Sequence, residues 1–372
     1  MSRTMENKKK KRRSLIAFLV VILVMAALAA LALWLSRSGK LDPDGERAKT
    51  YNYASDAGTV TCGVGNGLAV ASSSGLKVYD RTGMQTVGEM YVAQRPVLTA
   101  SGGYAAAYDV GGEQVRVFTE KGTVRVLKPD GAVSSARVNG KGWCAVCTEE
   151  SGYKGAVTVY QDSGAVAYKW LSGEAWVLTA VASEDGKRLA VLTLTDTGSR
   201  IVLMRMNREE PLAETVLSGE LLLDIGYDGK GDLYGVSADA LYRFGSDGEA
   251  EEVFRYDDST LSGFTFEGGP VLALSAHRTG GACRVVAMDG KEIREIGTFT
   301  DGVTSLAADR NAIAVLSPSG LTVWERKSFE QTASYGEPSS GLAVSLTQDG
   351  SVIVTARNTA AVYPVKEDGQ EE

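Results

Sequence analysis

The sequence predicts an all-β protein, an eight-bladed β-propeller, with one transmembrane helix ahead of it. Three observations predict this. A two-strand phrase recurs eight times in the 372 residues, 21 consecutive apolar residues stand near the N-terminus, and glycine is abundant, with 43 residues against 8 prolines. A repeat of about 40 residues built from short strands and tight turns is typical of propeller blades.

Each copy of the phrase begins with a turn bearing Gly or Asn, followed by an apolar run such as GLAVAS at 67–72. A second strand follows, as in LKVYD at 76–80. Gly and Asn supply the positive φ of two-residue hairpins, so these turns predict antiparallel sheets. The later strand of each phrase closes with a large or apolar residue, and these residues are 38 to 44 positions apart, namely Tyr79, Phe118, Tyr160, Met204, Phe244, Val286, Trp324 and Tyr363.

Within a unit the strands change character in order. The second strand is apolar on nearly every residue, as in LAVLTL at 189–194, which indicates cover on both faces by neighbouring blades. In the last strand charged residues alternate with apolar ones in short groups, as in KEIREIGTF at 291–299. A charged edge resists pairing with other chains, so this strand is expected at the rim.

Seven units are complete, and the eighth has only three strands before the charged tail at 367–372. A spare strand lies at the other end of the domain, at 48–54. We expect it to become the outermost strand of the last blade and to close the ring, because a missing strand would leave an unpaired edge. Seven blades is the alternative, if the fourth unit with its Met-rich strand is not a true blade.

The N-terminal region predicts a membrane anchor. Leu15 to Leu35 contains no charged residue, and as a helix it would be about 31 Å long, enough to cross a bilayer. The basic cluster from Lys8 to Arg13 stays in the cytoplasm by the positive-inside rule. We therefore predict a cytoplasmic tail at 1–14, a signal-anchor helix at 15–35, a linker at 36–48 and an extracytoplasmic propeller at 49–366. A cleaved signal peptide is the alternative.

Charge and cysteine content narrow the function. The chain carries −7 in all and the tail before Ser14 carries +6, so the remainder carries −13. This acidity argues against nucleic acid and anionic lipid headgroups as partners. Cys144 and Cys147 fall on opposite faces of one strand, too far apart for a disulfide, so these two, Cys62 and Cys283 are predicted to be free buried thiols.

One strand end, LTVWE at 321–325, resembles the strand end of WD-repeat and YVTN-like propellers, although the Gly-His pair that opens a WD repeat is absent. The whole plan is more specific. A short basic tail, one anchor helix and a Gly-rich propeller resemble an uncharacterised family of single-pass envelope proteins of Gram-positive bacteria. The resemblance implies the fold and a place at the cell membrane, and it brings no functional residues with it.

Catalytic motifs are scarce. The single histidine, His277, falls in a turn, and the acids of the turn 228–232 lack the remaining ligands of a calcium loop. We expect no catalytic residue, no cofactor and no metal. Trp143, Trp170 and Trp176 cluster in the third and fourth units, where packing between blades accounts for them. Aromatic residues can also anchor partners, so if one surface binds a partner, the loop with Trp170 and Trp176 is the predicted site.

These observations favour a non-enzymatic scaffold that binds an envelope protein or polymer. The alternative is a propeller enzyme of the quinone-dependent dehydrogenase or lyase type, with its site in the central channel. Such a site would draw acids, arginines and aromatic residues from several inner strands.

Overall fold

The computed structural model describes residues 49–276, 281–336 and 340–364. These residues form 32 strands arranged in eight antiparallel sheets of four strands each. The structure is therefore an eight-bladed β-propeller, which confirms eight blades over seven. The basic tail, the predicted anchor at 15–35, the linker, His277 and the tail at 367–372 lie outside the described residues.

In chain order, blades 1 to 4 each take four consecutive strands. Blade 1 contains β2 (Val60–Val64), β3 (Gly67–Ser72), β4 (Gly75–Tyr79) and β5 (Gln85–Met90). Blade 2 contains β6 (Pro96–Ser101), β7 (Tyr104–Asp109), β8 (Val115–Thr119) and β9 (Gly122–Leu127). Blade 3 contains β10 (Val133–Val138), β11 (Cys144–Thr148), β12 (Ala156–Tyr160) and β13 (Val166–Leu171). Blade 4 contains β14 (Trp176–Ala182), β15 (Arg188–Leu194), β16 (Gly198–Arg205) and β17 (Pro211–Ser218).

Blades 5 to 7 repeat this plan, and blade 8 is assembled from both ends of the domain. Blade 5 contains β18 (Leu222–Tyr227), β19 (Leu233–Ser237), β20 (Ala240–Phe244) and β21 (Ala250–Arg255). Blade 6 contains β22 (Ser259–Thr265), β23 (Val271–Ala276), β24 (Cys283–Asp289) and β25 (Glu292–Phe299). Blade 7 contains β26 (Ser305–Ala308), β27 (Ala312–Ser317), β28 (Gly320–Glu325) and β29 (Gln331–Tyr335). Blade 8 contains β30 (Ala343–Leu346), β31 (Val352–Thr355), β32 (Thr359–Tyr363) and the N-terminal strand β1 (Lys49–Asn52).

Burial follows the strand order within each blade. The second strands are almost fully buried, as β11 and β27 show, whereas outer strands such as β17 alternate between exposed and half-buried residues. The core is divided into eight apolar clusters among the described residues, and each cluster joins two neighbouring blades. The core is therefore a ring of inter-blade contacts that depends on every blade being present.

The ring closes between blades 8 and 1. β1 pairs with β32, and the Tyr53 side chain from the N-terminal segment is 6% exposed and donates a hydrogen bond from its hydroxyl to the carbonyl of Ala356. Tyr51 packs against Tyr79 of blade 1, with ring centroids 6.0 Å apart. The N-terminal segment therefore holds together the first and last blades.

Candidate functional site

The two ends of the propeller differ in which connections they carry. At one end, the turn end, the first strand of each blade turns into the second and the third into the fourth. At the other, the loop end, the second strand turns into the third and the chain passes to the next blade. Exposed apolar residues gather at the loop end, and ion pairs that cross the ring gather towards the turn end.

A β-bulge recurs in the innermost strands of four consecutive blades. In blades 3 to 6 the pairing of the first two strands shifts by one residue, whereas in blades 1, 2, 7 and 8 it is regular. A bulge leaves the extra residue out of the ladder and can point its side chain in a new direction. All four bulged residues are exposed, and they are Ser134, Leu178, Leu223 and Ser262.

The serine side chains at these bulges form hydrogen bonds, whereas the leucine side chains are exposed to water. Ser134 donates a hydrogen bond to the carbonyl of Cys147 at 3.2 Å, and Ser262 donates one to the carbonyl of Ala273 at 3.0 Å. Leu178 and Leu223 are apolar, yet they remain 40% and 58% exposed. The bulges of blades 4 and 5 thus each carry a leucine that is in contact with water.

Two further apolar residues extend this surface. Trp176 lies two residues before Leu178 and Leu221 two residues before Leu223, and they are 56% and 59% exposed. Trp176 and Leu178 lie on the inner strand β14, Leu223 lies on the inner strand β18 and Leu221 directly precedes it, and the two strands are in contact. We call Trp176, Leu178, Leu221 and Leu223 the apolar patch. Single exposed apolar residues are ordinary, but four of them at the start of two adjacent inner strands make a candidate interaction site.

The two tryptophans predicted to bind a partner occupy different environments. Trp170 lies on β13 and packs, half-buried, against the apolar cluster between blades 3 and 4. Trp176 is part of the apolar patch, and the Lys154 ammonium lies 4.4 Å from its ring centroid. The sequence pointed to the tryptophan but not to the leucines, because a bulge does not show in the alternation of a strand.

At the turn end, charged side chains from distant blades meet inside the ring. Arg137 of blade 3 and Asp224 of blade 5 form an ion pair at 2.8 Å, which joins the two blades on either side of blade 4. Arg310 of blade 7 reaches Glu184 of blade 4 at 3.5 Å. These residues are 87 and 126 positions apart in the chain, so a linear reading of the sequence does not bring them together.

Glu267, in the turn between β22 and β23, joins this group. Ser101 of blade 2, together with Arg137, Glu184 and Asp309, lies near enough to the Glu267 carboxyl to act on its charge. Glu267 is exposed to water, although neighbouring protein groups partly desolvate its carboxyl. Desolvation by that protein raises the pKa of Glu267 to about 7, with further increases from Asp309 and Glu184 that Arg137 and Ser101 partly offset.

Replacing Glu267 with Gln is expected to stabilise the protein at pH 8 and not at pH 4. The folded state holds the proton more tightly than the unfolded one, so the penalty for ionisation is absent below pH 4.5 and complete above pH 7. Taken alone, the pKa shift corresponds to roughly 3 kcal/mol in the free energy of unfolding. Because the side chain contacts water, we expect the substitution to raise that free energy at pH 8 by about 1 kcal/mol. Denaturant unfolding at both pH values measures it, with Glu209→Gln as the exposed control, and a gain independent of pH would contradict the assignment.

The described residues show little sign of a metal site or a reactive thiol. No group of three or more His, Cys, Asp or Glu side chains within 49–276, 281–336 and 340–364 could hold a metal ion. The Asp228 carboxylate instead accepts hydrogen bonds from the backbone N–H groups of Lys230 and Asp232, at 2.8 and 2.9 Å, and so closes its own turn.

The four cysteines are free, and all but Cys62, which is half-buried, are buried. Cys144 and Cys147 belong to different apolar clusters on opposite faces of β11, as the strand pattern predicts. Burial raises the pKa of both thiols to about 12, so they are poor nucleophiles at neutral pH.

The described part of the chain contains no helix with the length and apolar character needed to span a membrane. The 21-residue apolar run at 15–35 falls outside that part.

A family model covers most of the chain. The model of a family of unknown function, DUF5711, matches residues 45–359. The chain belongs to this family. The match begins just ahead of β1 and ends at the first residue of β32, so the DUF5711 region coincides with the propeller. No curated protein matches the chain.

Several solved structures resemble this DUF5711 member in fold at low sequence identity. The C-terminal WD40 domain of Sif2 is 13% identical with a TM-score of 0.59, and the match covers 86% of this chain and 98% of that one. Sqt1 of Saccharomyces cerevisiae is 10% identical with a TM-score of 0.60, and the match covers 86% of this chain and 100% of that one. The computationally designed Ika8 protein is 13% identical with a TM-score of 0.56, and the match covers 87% of this chain and 98% of that one. At these identities the likeness shows the fold alone.

Proposed function

We propose that this propeller is a non-enzymatic scaffold that binds a partner at the cell envelope. In this proposal the segment 15–35 crosses the membrane once, the tail at 1–14 stays in the cytoplasm, and the propeller lies outside. The apolar run and the basic cluster before it support the orientation. The apolar patch carries the binding function.

The patch supports binding because its exposure is built into the backbone. A bulge costs regular pairing, and here bulges in two adjacent blades keep leucines in contact with water. The patch side chains are between 40% and 59% exposed, so covering each one contributes roughly half of the about 1.5–3 kcal/mol gained when a fully exposed apolar side chain is buried. The four patch residues could therefore supply a substantial part of the free energy of binding for a partner of matching shape.

The test is a crosslinked pulldown of the full-length protein from its own cells. The variant Leu178→Ser/Leu223→Ser removes the two leucines at the bulges. Leu212→Ser/Val216→Ser is the matched control, because both residues are exposed apolar positions on the outer strand β17. We expect the same envelope partner with the wild type and the control, and at least a tenfold loss with the patch variant. Equal recovery from all three proteins would contradict the proposal.

The charged residues near the turn end favour a second candidate, a propeller enzyme. A carboxyl with a pKa near 7 beside an arginine suits general acid–base catalysis of the lyase type. A quinone-dependent dehydrogenase would in addition carry a bound chromophore. Absorbance of the purified protein, together with a pulldown free of partners, distinguishes this candidate from the scaffold. A chromophore without a partner would favour the enzyme.

A further inference from the structure

We infer that the segment bound at the apolar patch is a basic, amphipathic stretch of another protein. This inference rests on the proposed scaffold function and specifies the class of its partner. Three observations carry it: the exposed apolar side chains of the patch, the charge of the loops around it, and the Lys154 ammonium that lies over the Trp176 ring.

The loops of the loop end are strongly acidic. In the described residues these connections contain four basic residues, Arg95, Lys128, Lys154 and Arg357. They contain twelve acidic residues: Asp56, Glu113, Asp130, Glu149, Glu150, Glu174, Asp196, Glu220, Asp239, Asp257, Asp258 and Asp301. The field at this end therefore attracts cations and repels anionic lipids and anionic polymers.

Several of these acids lie beside the patch. Glu174 is two residues before Trp176, and Glu220 immediately precedes Leu221. The Glu174 side chain is 87% exposed, and its ion pair with Arg200, at 3.4 Å, is easily exchanged because exposed ion pairs contribute little. A partner that brings Lys or Arg to the edge of the patch would find carboxylates there.

Trp176 shows that the surface accepts a cation. The Lys154 ammonium lies over its ring at 4.4 Å, within the range of a cation–π interaction. The backbone carbonyl of Lys154 also accepts a hydrogen bond from the Val177 N–H at 3.3 Å, so the loop that carries the lysine is fixed beside β14. A basic residue of the partner could stack on the same ring in place of Lys154.

The four apolar side chains require apolar groups on the partner as well. A purely cationic polymer would leave the two leucines and Leu221 exposed, and an uncharged apolar segment would not use the surrounding acids. A peptide with lysines on one side and leucines on the other satisfies both. This is the pattern by which amphipathic helices bind apolar grooves.

The test uses the full chain in phosphatidylcholine nanodiscs and a labelled 18-residue peptide of Leu and Lys with helical amphipathic spacing. Fluorescence anisotropy gives Kd, and protein-free nanodiscs correct for binding to lipid. A second peptide has Glu in place of every Lys. We expect saturable binding of the Lys peptide that weakens as salt rises, and at least tenfold weaker binding of the Glu peptide.

Two pairs of variants locate the site. Leu178→Ser/Leu223→Ser should weaken binding at least tenfold, and Leu212→Ser/Val216→Ser should not. Among charges, Glu174→Gln/Asp196→Asn/Asp258→Asn should weaken binding about tenfold. The triple variant Glu209→Gln/Glu210→Gln/Glu330→Gln changes net charge equally at exposed positions of the opposite end and should leave Kd unchanged.

Other occupants give different results, and each would overturn the inference. Equal binding of both peptides would show that charge does not select the partner. Binding of phosphatidylglycerol vesicles through the patch would identify a lipid surface, and a dimer that Leu178→Ser/Leu223→Ser dissociates would identify a second copy of this chain. If the pulldown partner depends on the patch but the Lys peptide does not bind, the inference fails and the scaffold function stands. If neither depends on the patch, both fail.

Discussion

Deleting Lys49–Asn52 from the full chain is expected to abolish the cooperative unfolding of the propeller. The deletion removes β1, leaves β32 as an unpaired edge, and displaces Tyr53 from the cluster between blades 8 and 1. A large aromatic residue buries about 150–250 Å². At about 25 cal/mol per Å², losing Tyr51 and Tyr53 costs roughly 7–12 kcal/mol, which is comparable with the whole stability of a domain.

Near-UV circular dichroism during thermal unfolding and size-exclusion chromatography in mild detergent measure the outcome. We expect loss of the sharp transition and formation of oligomers through the exposed edge of β32. Deleting four residues of the linker, 41–44, is the control, because it shortens the chain equally ahead of β1. A deletion of Lys49–Asn52 that unfolds like the control would mean that the ring is held closed without β1.

Replacing Gly320 with Ala is expected to destabilise the propeller by about 3 kcal/mol or more. Gly320 opens β28 with a φ of +142°, and a Cβ there would lie 2.1 Å from the Tyr335 carbonyl oxygen on the outer strand of the same blade. Neither atom can move without breaking the pairing of β28 with β29. Gly75 and Gly198 occupy the same position in blades 1 and 4, where an added Cβ would lie 2.1 and 2.2 Å from a carbonyl oxygen of the outer strand.

The matched control is Gly336→Ala, one residue after β29, where no atom of the described residues lies within 4 Å of the added Cβ. This substitution should change the free energy of unfolding by less than about 0.5 kcal/mol. Guanidinium denaturation gives both values. Similar small effects at Gly320 and Gly336 would show that blade 7 adapts to a side chain at the start of β28.

The fold could be predicted because the information for a blade is local. Turn glycines, the apolar second strand and the charged last strand all lie within about 40 residues, and the eight copies support one another. Even the closing strand could be inferred, since the eighth unit was one strand short.

The candidate site depends on features that a repeat does not encode. Leu178 and Leu223 look like ordinary strand leucines in the sequence, which does not reveal that each lies exposed at a one-residue shift in pairing. Arg137 and Asp224 meet only because the ring places blades 3 and 5 on either side of blade 4. Trp176 was predicted because of its residue type, whereas its neighbours depend on geometry.

The joined ends of the domain also determine how it would carry mechanical load. β1 runs from the turn end to the loop end, and it pairs with β32 through four residues, Lys49 to Asn52. A pull between the two chain termini would separate these pairs one after another, starting at Lys49. A pull between the N-terminal segment and a partner seated at the loop end would act along β1 and load all four pairs together. We therefore expect β1 to separate from β32 at a low force in the first direction and to resist a higher force in the second.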